Sequence, residues 1–189
     1  AECFASPLNV TLDKFCSVAF DTDRFFGSAG SFWKFPGRDP RWSSPDPDVL
    51  RGGGSYEANP PFVEEVMDEM AVRIIALLQD AEQRNVPLSF CVIVPGWGGD
   101  WKLLKEFTNS EFSRPSPGYY LVLDRKKHNY RPGMQHRATH DEQPSNVETF
   151  VFFLQTAAGA RKWPVTDDKL DELKRQLENE AVAQTKRTR

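Results

Sequence analysis

Apolar residues follow two distinct periods along this chain. From Val63 they recur at three- and four-residue steps through Val66, Met67, Met70, Ile74, Leu77 and Leu78, the spacing of one helix face. Glu64, Glu65 and Asp68 crowd the first turn, as the positive end of a helix dipole favours, and the helix is expected to end near Arg84. Leu88 to Val94 is instead a near-continuous apolar run closed by Pro95-Gly96, which suits a buried parallel strand. Thr149 to Gln155 reads as another buried strand, and Tyr119 to Leu123 as a shorter one. Trp101 to Phe107 reads as a helix. The charged stretch from Asp167 to Lys186 reads as a helix with a narrow stripe of Leu170, Leu173 and Leu177, which docks lightly or serves as a connector. Strands alternating with helices predict a parallel or mixed α/β sheet.

The amino-terminal part is less regular. Glu2 to Leu8 is a short strand-like run, and the spacing of Leu12, Phe15, Cys16 and Phe20 allows a helix. Asp21 to Pro47 is loop-like, rich in Gly, Ser, Pro and aromatic residues, and Gly37 to Gly54 reads as an insertion. No internal repeat is present.

Composition narrows the classes. A chain of 189 residues with 39% hydrophobic and 27% charged residues fits one globular domain. The net charge of −3 carries no global nucleic-acid signal, so any basic surface must be local. No run approaches the ~18 apolar residues of a membrane span. Cys3, Cys16 and Cys91 lack metal-type spacing and read as buried free thiols.

Between a short strand-like run and the long helix stands Asn59-Pro60-Pro61-Phe62, approached through Gly52-Gly-Gly-Ser-Tyr-Glu-Ala58, a loop whose last residues can be extended. At the carboxyl edge of an open α/β sheet, such a turn faces the ligand. Amino-group methyltransferases use this kind of element to hold a nucleobase amine against a methyl donor. The lone pair of an adenine exocyclic amine is delocalised into the ring, and two acceptors binding its N–H groups free it. The Asn59 side-chain oxygen and the Pro60 carbonyl supply two such acceptors. The two prolines stiffen the turn and aim that carbonyl in advance. Phe62 offers a face for an extruded base, worth roughly 1–3 kcal/mol. The same four residues before an acidic turn also make an ordinary helix start.

The basic segment from Asp124 to Arg137 holds Arg125, Lys126, Lys127, Arg131 and Arg137, interleaved with His128, Tyr130 and His136. Basic and aromatic groups together suit phosphates and unstacked bases. A solvated loop is the alternative. No Cys or carboxylate spacing supports a metal at the histidines.

Several motifs occur in one order: Glu2-Cys-Phe-Ala-Ser-Pro-Leu-Asn9, Asp21-Thr-Asp23 with Phe26-Gly-Ser28, Glu57-Ala-Asn-Pro-Pro-Phe62, Leu88-Ser-Phe90 leading to Val94-Pro-x-Trp97, His128-x-Tyr-Arg-x-Gly-x-Gln-His136, and Lys162-Trp163. Together they resemble the phosphorylated CTD-interacting factor family from about Glu2 to Trp163. The resemblance implies a cap-specific adenosine N6-methyltransferase. Its cofactor would be S-adenosylmethionine, and its substrate the first transcribed 2′-O-methyladenosine beside the 7-methylguanosine cap of messenger RNA. It also implies a nuclear protein associated with the phosphorylated tail of RNA polymerase II through a WW domain, and no membrane partner.

The implied fold is a Rossmann-like class I methyltransferase sheet. The chain would begin at its second strand, without the first strand and its Gly-rich cofactor turn, as the carboxyl-terminal part of a larger protein. Residues 1–165 would form the partial methyltransferase domain, with the insertion near 37–54, and residues 166–189 a charged helical tail. Carried over by position, Asn59, Pro60, Pro61 and Phe62 are the catalytic motif. Asn9, Phe4 and Ser6 are cofactor-binding candidates, with turn or packing roles as alternatives. Arg131, His136, Tyr130 and Trp97 are candidates for RNA or cap contact; for Tyr130 and Trp97 a core or rim role is the alternative. Rival readings are a related methyltransferase acting on internal RNA or DNA adenine, and a catalytically silent capped-RNA or polymerase-tail binding module.

Overall fold

A computed structural model describes residues 1–34, 53–97, 101–130 and 143–185. Its centre is a mixed sheet of β1 (Gly54–Ala58), β2 (Leu88–Pro95), β3 (Ser113–Arg114), β4 (Leu121–Leu123) and β7 (Thr149–Gln155). β1 runs parallel to β2, with Glu57 opposite Cys91. β2 runs antiparallel to β7, with Pro95 opposite Thr149. On the far side of β7, β3 and β4 pair with successive stretches of the same edge. A separate small ladder joins β5 (Asn129–Tyr130) to β6 (Gln143–Pro144).

Alternation of side chains sorts the sheet into two faces. Tyr56, Ala58, Phe90, Val92, Val94, Phe150, Phe152 and Leu154 join one core with Met67, Met70, Ile74 and Leu78 of the helix α2 (Glu64–Gln83). Leu103 and Phe107 of α3 (Lys102–Thr108) complete it. Leu121, Leu123 and Val151 face the other way. There they pack with Cys91, Ile93, Phe153 and with Leu173 and Leu177 of α5 (Asp167–Thr185). The narrow leucine stripe of α5 therefore docks on the sheet, and Leu170 is fully covered. No described helix is long and apolar enough to cross a membrane.

The strand expected at Thr149–Gln155 and the long helix stand where their spacing puts them, whereas β4 is shorter than Tyr119–Leu123. Tyr119 is drawn into a turn instead: its amide donates to the Ser116 carbonyl at 3.1 Å, and its carbonyl accepts from Ser113 Oγ at 3.1 Å. The short helix α4 (Ala157–Lys162) lay outside the sequence reading. Thr156 caps it, accepting from the Gly159 amide at 3.0 Å. The same hydroxyl accepts from the Leu88 amide at 3.0 Å and donates to the Val86 carbonyl at 2.9 Å, tying α4 to the start of β2.

The amino-terminal stretch corrects two expectations. The helix allowed from Leu12 to Phe20 does not form; the helical residues are the short α1 (Phe20–Asp23) and the 3-10 turns Arg24–Phe26 and Phe32–Lys34. Phe15 is extended and bridges Glu2 on one side and Ser28 on the other, both in parallel. Those backbone pairings win because they place Phe15 and Cys16 in the core, while Leu12 remains 45% exposed. Residues 1–3 do not take the place of a second strand. They lie directly against β1: the Cys3 amide donates to Glu57 O at 2.8 Å, and the Glu57 amide to Ala1 O at 2.9 Å. Of the insertion expected near 37–54, residues 37–52 lie outside the described residues, and Gly54 already opens β1.

Candidate active site at the carboxyl edge of the parallel strands

β1 ends at Ala58, and Asn59 to Phe62 form the turn into α2. The backbone reason is local. Pro60 and Pro61 carry no N–H and cannot extend the ladder, and the Val63 amide closes the turn on Pro61 O at 2.7 Å. Val63 is extended and caps α2 without a side-chain bond, and Glu64 and Glu65 follow in the first turn. Pro60 is buried, so the turn is anchored at its centre. Asn59, Pro61 and Phe62 are exposed, Phe62 by 40%. Among the described residues, neither the Asn59 amide nor the Pro60 carbonyl has a hydrogen-bond partner. Two adjacent acceptors without a partner among the described residues thus lie at one sheet edge, beside the exposed ring of Phe62.

Because Glu2 pairs with Glu57, the residues after Cys3 emerge beside Asn59. Phe4 turns into an aromatic cluster with Phe32, at 5.0 Å between ring centroids, and with Trp33 at 5.8 Å. Ser6 and Asn9 make a tight turn: Asn9 Oδ1 accepts from the Ser6 amide at 2.7 Å and from Ser6 Oγ at 3.0 Å. The packing role for Phe4 and the turn roles for Ser6 and Asn9 are therefore occupied in this structure.

β1 also carries Glu57, two residues before Asn59. Burial, reinforced by the Glu2 carboxylate, pushes its carboxyl up to about 7. Glu2 itself is held by Thr11 and Leu12: Oε1 accepts from both amides at 2.7 Å and from Thr11 Oγ1 at 2.9 Å. The cysteines are free. Burial raises their thiols, those of Cys16 and Cys91 to about 12, so they are poor nucleophiles at neutral pH.

Tyr130 stands against the motif. Its ring meets that of Phe62 at 5.5 Å between centroids, nearly perpendicular at 84°. Tyr130 OH lies 2.7 Å from Thr149 Oγ1, and Thr149 Oγ1 in turn lies 2.7 Å from His128 Nε2. His128 Nδ1 is 2.9 Å from the Asp124 carbonyl. A carbonyl only accepts, so Nδ1 carries the imidazole proton. Burial lowers the His128 pKa and keeps the ring neutral, so Nε2 accepts from Thr149. Thr149, its one proton committed, accepts from Tyr130. The chain Tyr130 to Thr149 to His128 to Asp124 is fully satisfied. Burial accordingly raises the Tyr130 phenol, with the Thr149 bond acting against it. The sequence marked Tyr130 but missed His128 and Thr149 as its supports; a polar residue opening an apolar strand was the available signal for Thr149.

Trp97 is half-buried and packs on Trp101 at 5.7 Å, so its core role is filled. Lys127 is paired with Asp124 at 2.7 Å, which raises the lysine and lowers the carboxyl. Arg125 and Lys126 are exposed beside it. Arg131 and His136 lie outside the described residues. No group of three or more metal-ligating side chains occurs among the described residues.

Fold and edge together define a mixed α/β protein whose parallel strand pair ends in a turn with an exposed Asn59 and an exposed Phe62 ring. The family model described as phosphorylated CTD interacting factor 1 WW domain matches residues 1–133, and the chain belongs to that family. Two relatives, one from mouse and one from human, are each 38% identical over 175 residues, 91% of this chain. Both are named mRNA (2'-O-methyladenosine-N(6)-)-methyltransferase. The chain spans 22% of the length of each.

Proposed function

We propose that this chain carries the amine-holding part of an S-adenosylmethionine-dependent adenosine N6-methyltransferase acting on the first transcribed 2′-O-methyladenosine of capped messenger RNA. The observation that carries the reading is the turn itself: Asn59 and the Pro60 carbonyl are acceptors uncommitted among the described residues, beside exposed Phe62 at the end of a parallel strand. The names of the relatives supply the substrate. The side-by-side parallel order Ser28, Phe15, Glu2, β1, β2, followed by antiparallel β7, supports a Rossmann-like class I methyltransferase sheet. Ala1–Cys3 then takes the place beside the motif strand that a first strand holds, and the turn after it contains no glycine.

In this mechanism Phe62 stacks the extruded adenine. Asn59 Oδ1 and Pro60 O accept the two N–H groups of its amine and hold the lone pair outward. No strong base is needed, since the methylated amine loses its proton to water. The groups of the turn also fit a sulfonium donor: they are neutral acceptors and an aromatic face, no Lys or Arg occurs from Asn59 to Val63, and Glu64 and Glu65 follow. Bound S-adenosylmethionine supplies an electrophilic methyl group, and the turn's part is to align the amine with it. Arg131 and His136 of the basic segment are proposed for RNA phosphates or the cap, with Arg125 and Lys126 adding local positive charge. Asn9 and Ser6, through the turn they build, and Phe4, through its aromatic cluster, are proposed to edge the cofactor side. The longer protein would act in the nucleus, tethered through a WW domain to the phosphorylated polymerase tail.

Methyl transfer from labelled S-adenosylmethionine to a short RNA beginning with 7-methylguanosine-capped 2′-O-methyladenosine, beside the same RNA uncapped, tests the reading in the full-length protein. Label on the capped RNA alone is expected. Equal label on both sinks the cap specificity, and label on neither sinks the enzyme.

A further inference from the structure

A ring that stacks a base must be held at a useful angle, and Phe62 is placed for this by its surroundings. Phe62 is 40% exposed and has only one aromatic neighbour among the described residues, Tyr130. A solvent-facing phenyl ring without a fixed neighbour samples several rotamers. Tyr130 is a different kind of residue: half-buried, with its hydroxyl 2.7 Å from Thr149 Oγ1. Thr149 is 1% exposed, opens β7 and is paired there with Pro95 and Leu123 on both sides. His128, 3% exposed, accepts the Thr149 hydrogen bond at Nε2 and donates from Nδ1 to Asp124 O. Its backbone is fixed too: the Ser145 amide donates to His128 O at 2.9 Å. The His128 ring also lies edge-on to Tyr130, 5.5 Å away at 75°. A buried sheet position thus reaches the exposed ring of the motif through two hydroxyls and two rings.

We propose that Tyr130, anchored by Thr149 and His128, is the positioning residue that sets the angle of Phe62 towards the stacked adenine. This rests on the functional reading above, in which Phe62 receives the base. The T-shaped contact keeps one Phe62 face free, because the edge or face given to Tyr130 is not the one offered to the base. The anchor matters because alignment errors of about 1 Å cost up to about 100-fold in transfer rate. Tyr130 also stands immediately before Arg131 in the basic segment, so anything that grips RNA there is tied in sequence to the residue that braces the base.

The test is steady-state kinetics of the full-length protein with labelled S-adenosylmethionine and capped RNA, comparing wild type, Thr149→Val, Thr149→Ser, Tyr130→Phe, Phe62→Ala and the double variant Thr149→Val with Phe62→Ala. Thr149→Val and Tyr130→Phe are expected to lower kcat/KM for RNA about 10-fold or more, with KM for S-adenosylmethionine unchanged. Thr149→Ser keeps the hydroxyl and restores most of the rate. The effect of Thr149→Val disappears in the Phe62→Ala background, because Thr149 acts through that ring. A residue that only supports the fold would instead lower kcat with both KM values unchanged, and would do so with or without Phe62. Should Thr149→Val fail to fold, Tyr130→Phe, which removes one hydroxyl from a half-buried ring, makes the same comparison. Wild-type kinetics in Thr149→Val or Tyr130→Phe, or a Thr149 effect undiminished without Phe62, overturns this inference alone. A wild-type protein that transfers no methyl overturns the functional reading and this inference with it.

Discussion

Replacing Glu57 by Gln should stabilise the protein at pH 8 and change little at pH 5. Glu57 pairs with Cys91 on one side and Glu2 on the other, so its carboxyl is half-buried next to a second carboxylate. Burial first, and Glu2 second, raise it from 4.5 to about 7. A raised acid binds its proton more tightly in the folded chain than in the unfolded one. Its contribution is therefore fully present below the unfolded value of about 4.5, and is lost as pH rises towards about 7. At ~1.36 kcal/mol per pKa unit the unscreened bound is about 3.4 kcal/mol. Part of the carboxyl meets solvent, which cuts this to about 1–2 kcal/mol. Gln keeps the shape and never ionises, so it removes the loss. Urea unfolding of wild type and Glu57→Gln at pH 5, 6, 7 and 8 reads the difference directly. The gap should open between pH 5 and pH 8 in favour of Gln. A gap that stays constant with pH, or opens the other way, refutes the assignment of the strain to a buried ionised Glu57.

Two further outcomes follow from other parts of the structure. Gly159→Ala lies within the helix α4, where the swap ordinarily stabilises by about 1 kcal/mol. Here a Cβ would sit 2.4 Å from the Leu88 carbonyl oxygen, so the variant should instead unfold at lower urea, by about 1–3 kcal/mol; a stabilised variant would refute the close α4–β2 approach. Phe62→Ala should raise KM for capped RNA roughly 5- to 150-fold, the equivalent of about 1–3 kcal/mol of base stacking, and leave KM for S-adenosylmethionine alone; an unchanged KM for RNA would remove Phe62 from base binding.

How much of this was legible in the sequence depended on how local the determining forces are. β2 and β7 are buried on both faces, so their apolar runs announced them without ambiguity of period. The helix α2 packs one face against that sheet, and the spacing of Met67, Met70, Ile74 and Leu78 follows directly. Leu12, Phe15, Cys16 and Phe20 fit a helical template equally well, but parallel backbone pairing of Phe15 with residues 13 before it and 13 after it decided the outcome, and no local pattern encodes such pairing. α4 has six residues and is defined by the Thr156 hydroxyl, whose partners Val86 and Leu88 come from 70 and 68 positions away. The site divides in the same way. Asn59 to Phe62 is a contiguous turn whose chemistry is written in its own residue types. The Tyr130–Thr149–His128 relay joins residues 19 and 21 positions apart across two ladders, and only the fold brings them together. Asn9 carries two expectations, a cofactor contact and a turn, and its short side chain makes the turn at Ser6, a use such residues commonly have.

The most direct test of the central claim is the turnover of Asn59→Ala in the full-length protein, measured with capped RNA and labelled S-adenosylmethionine alongside RNA affinity and thermal unfolding. Asn59 is exposed and has no hydrogen-bond partner among the described residues, so the fold and RNA binding should be retained while methyl transfer falls by about 100-fold or more, the usual cost of losing one preorganised polar contact to the reacting group. Near-normal transfer in a well-folded Asn59→Ala protein would contradict the two-acceptor account of the motif.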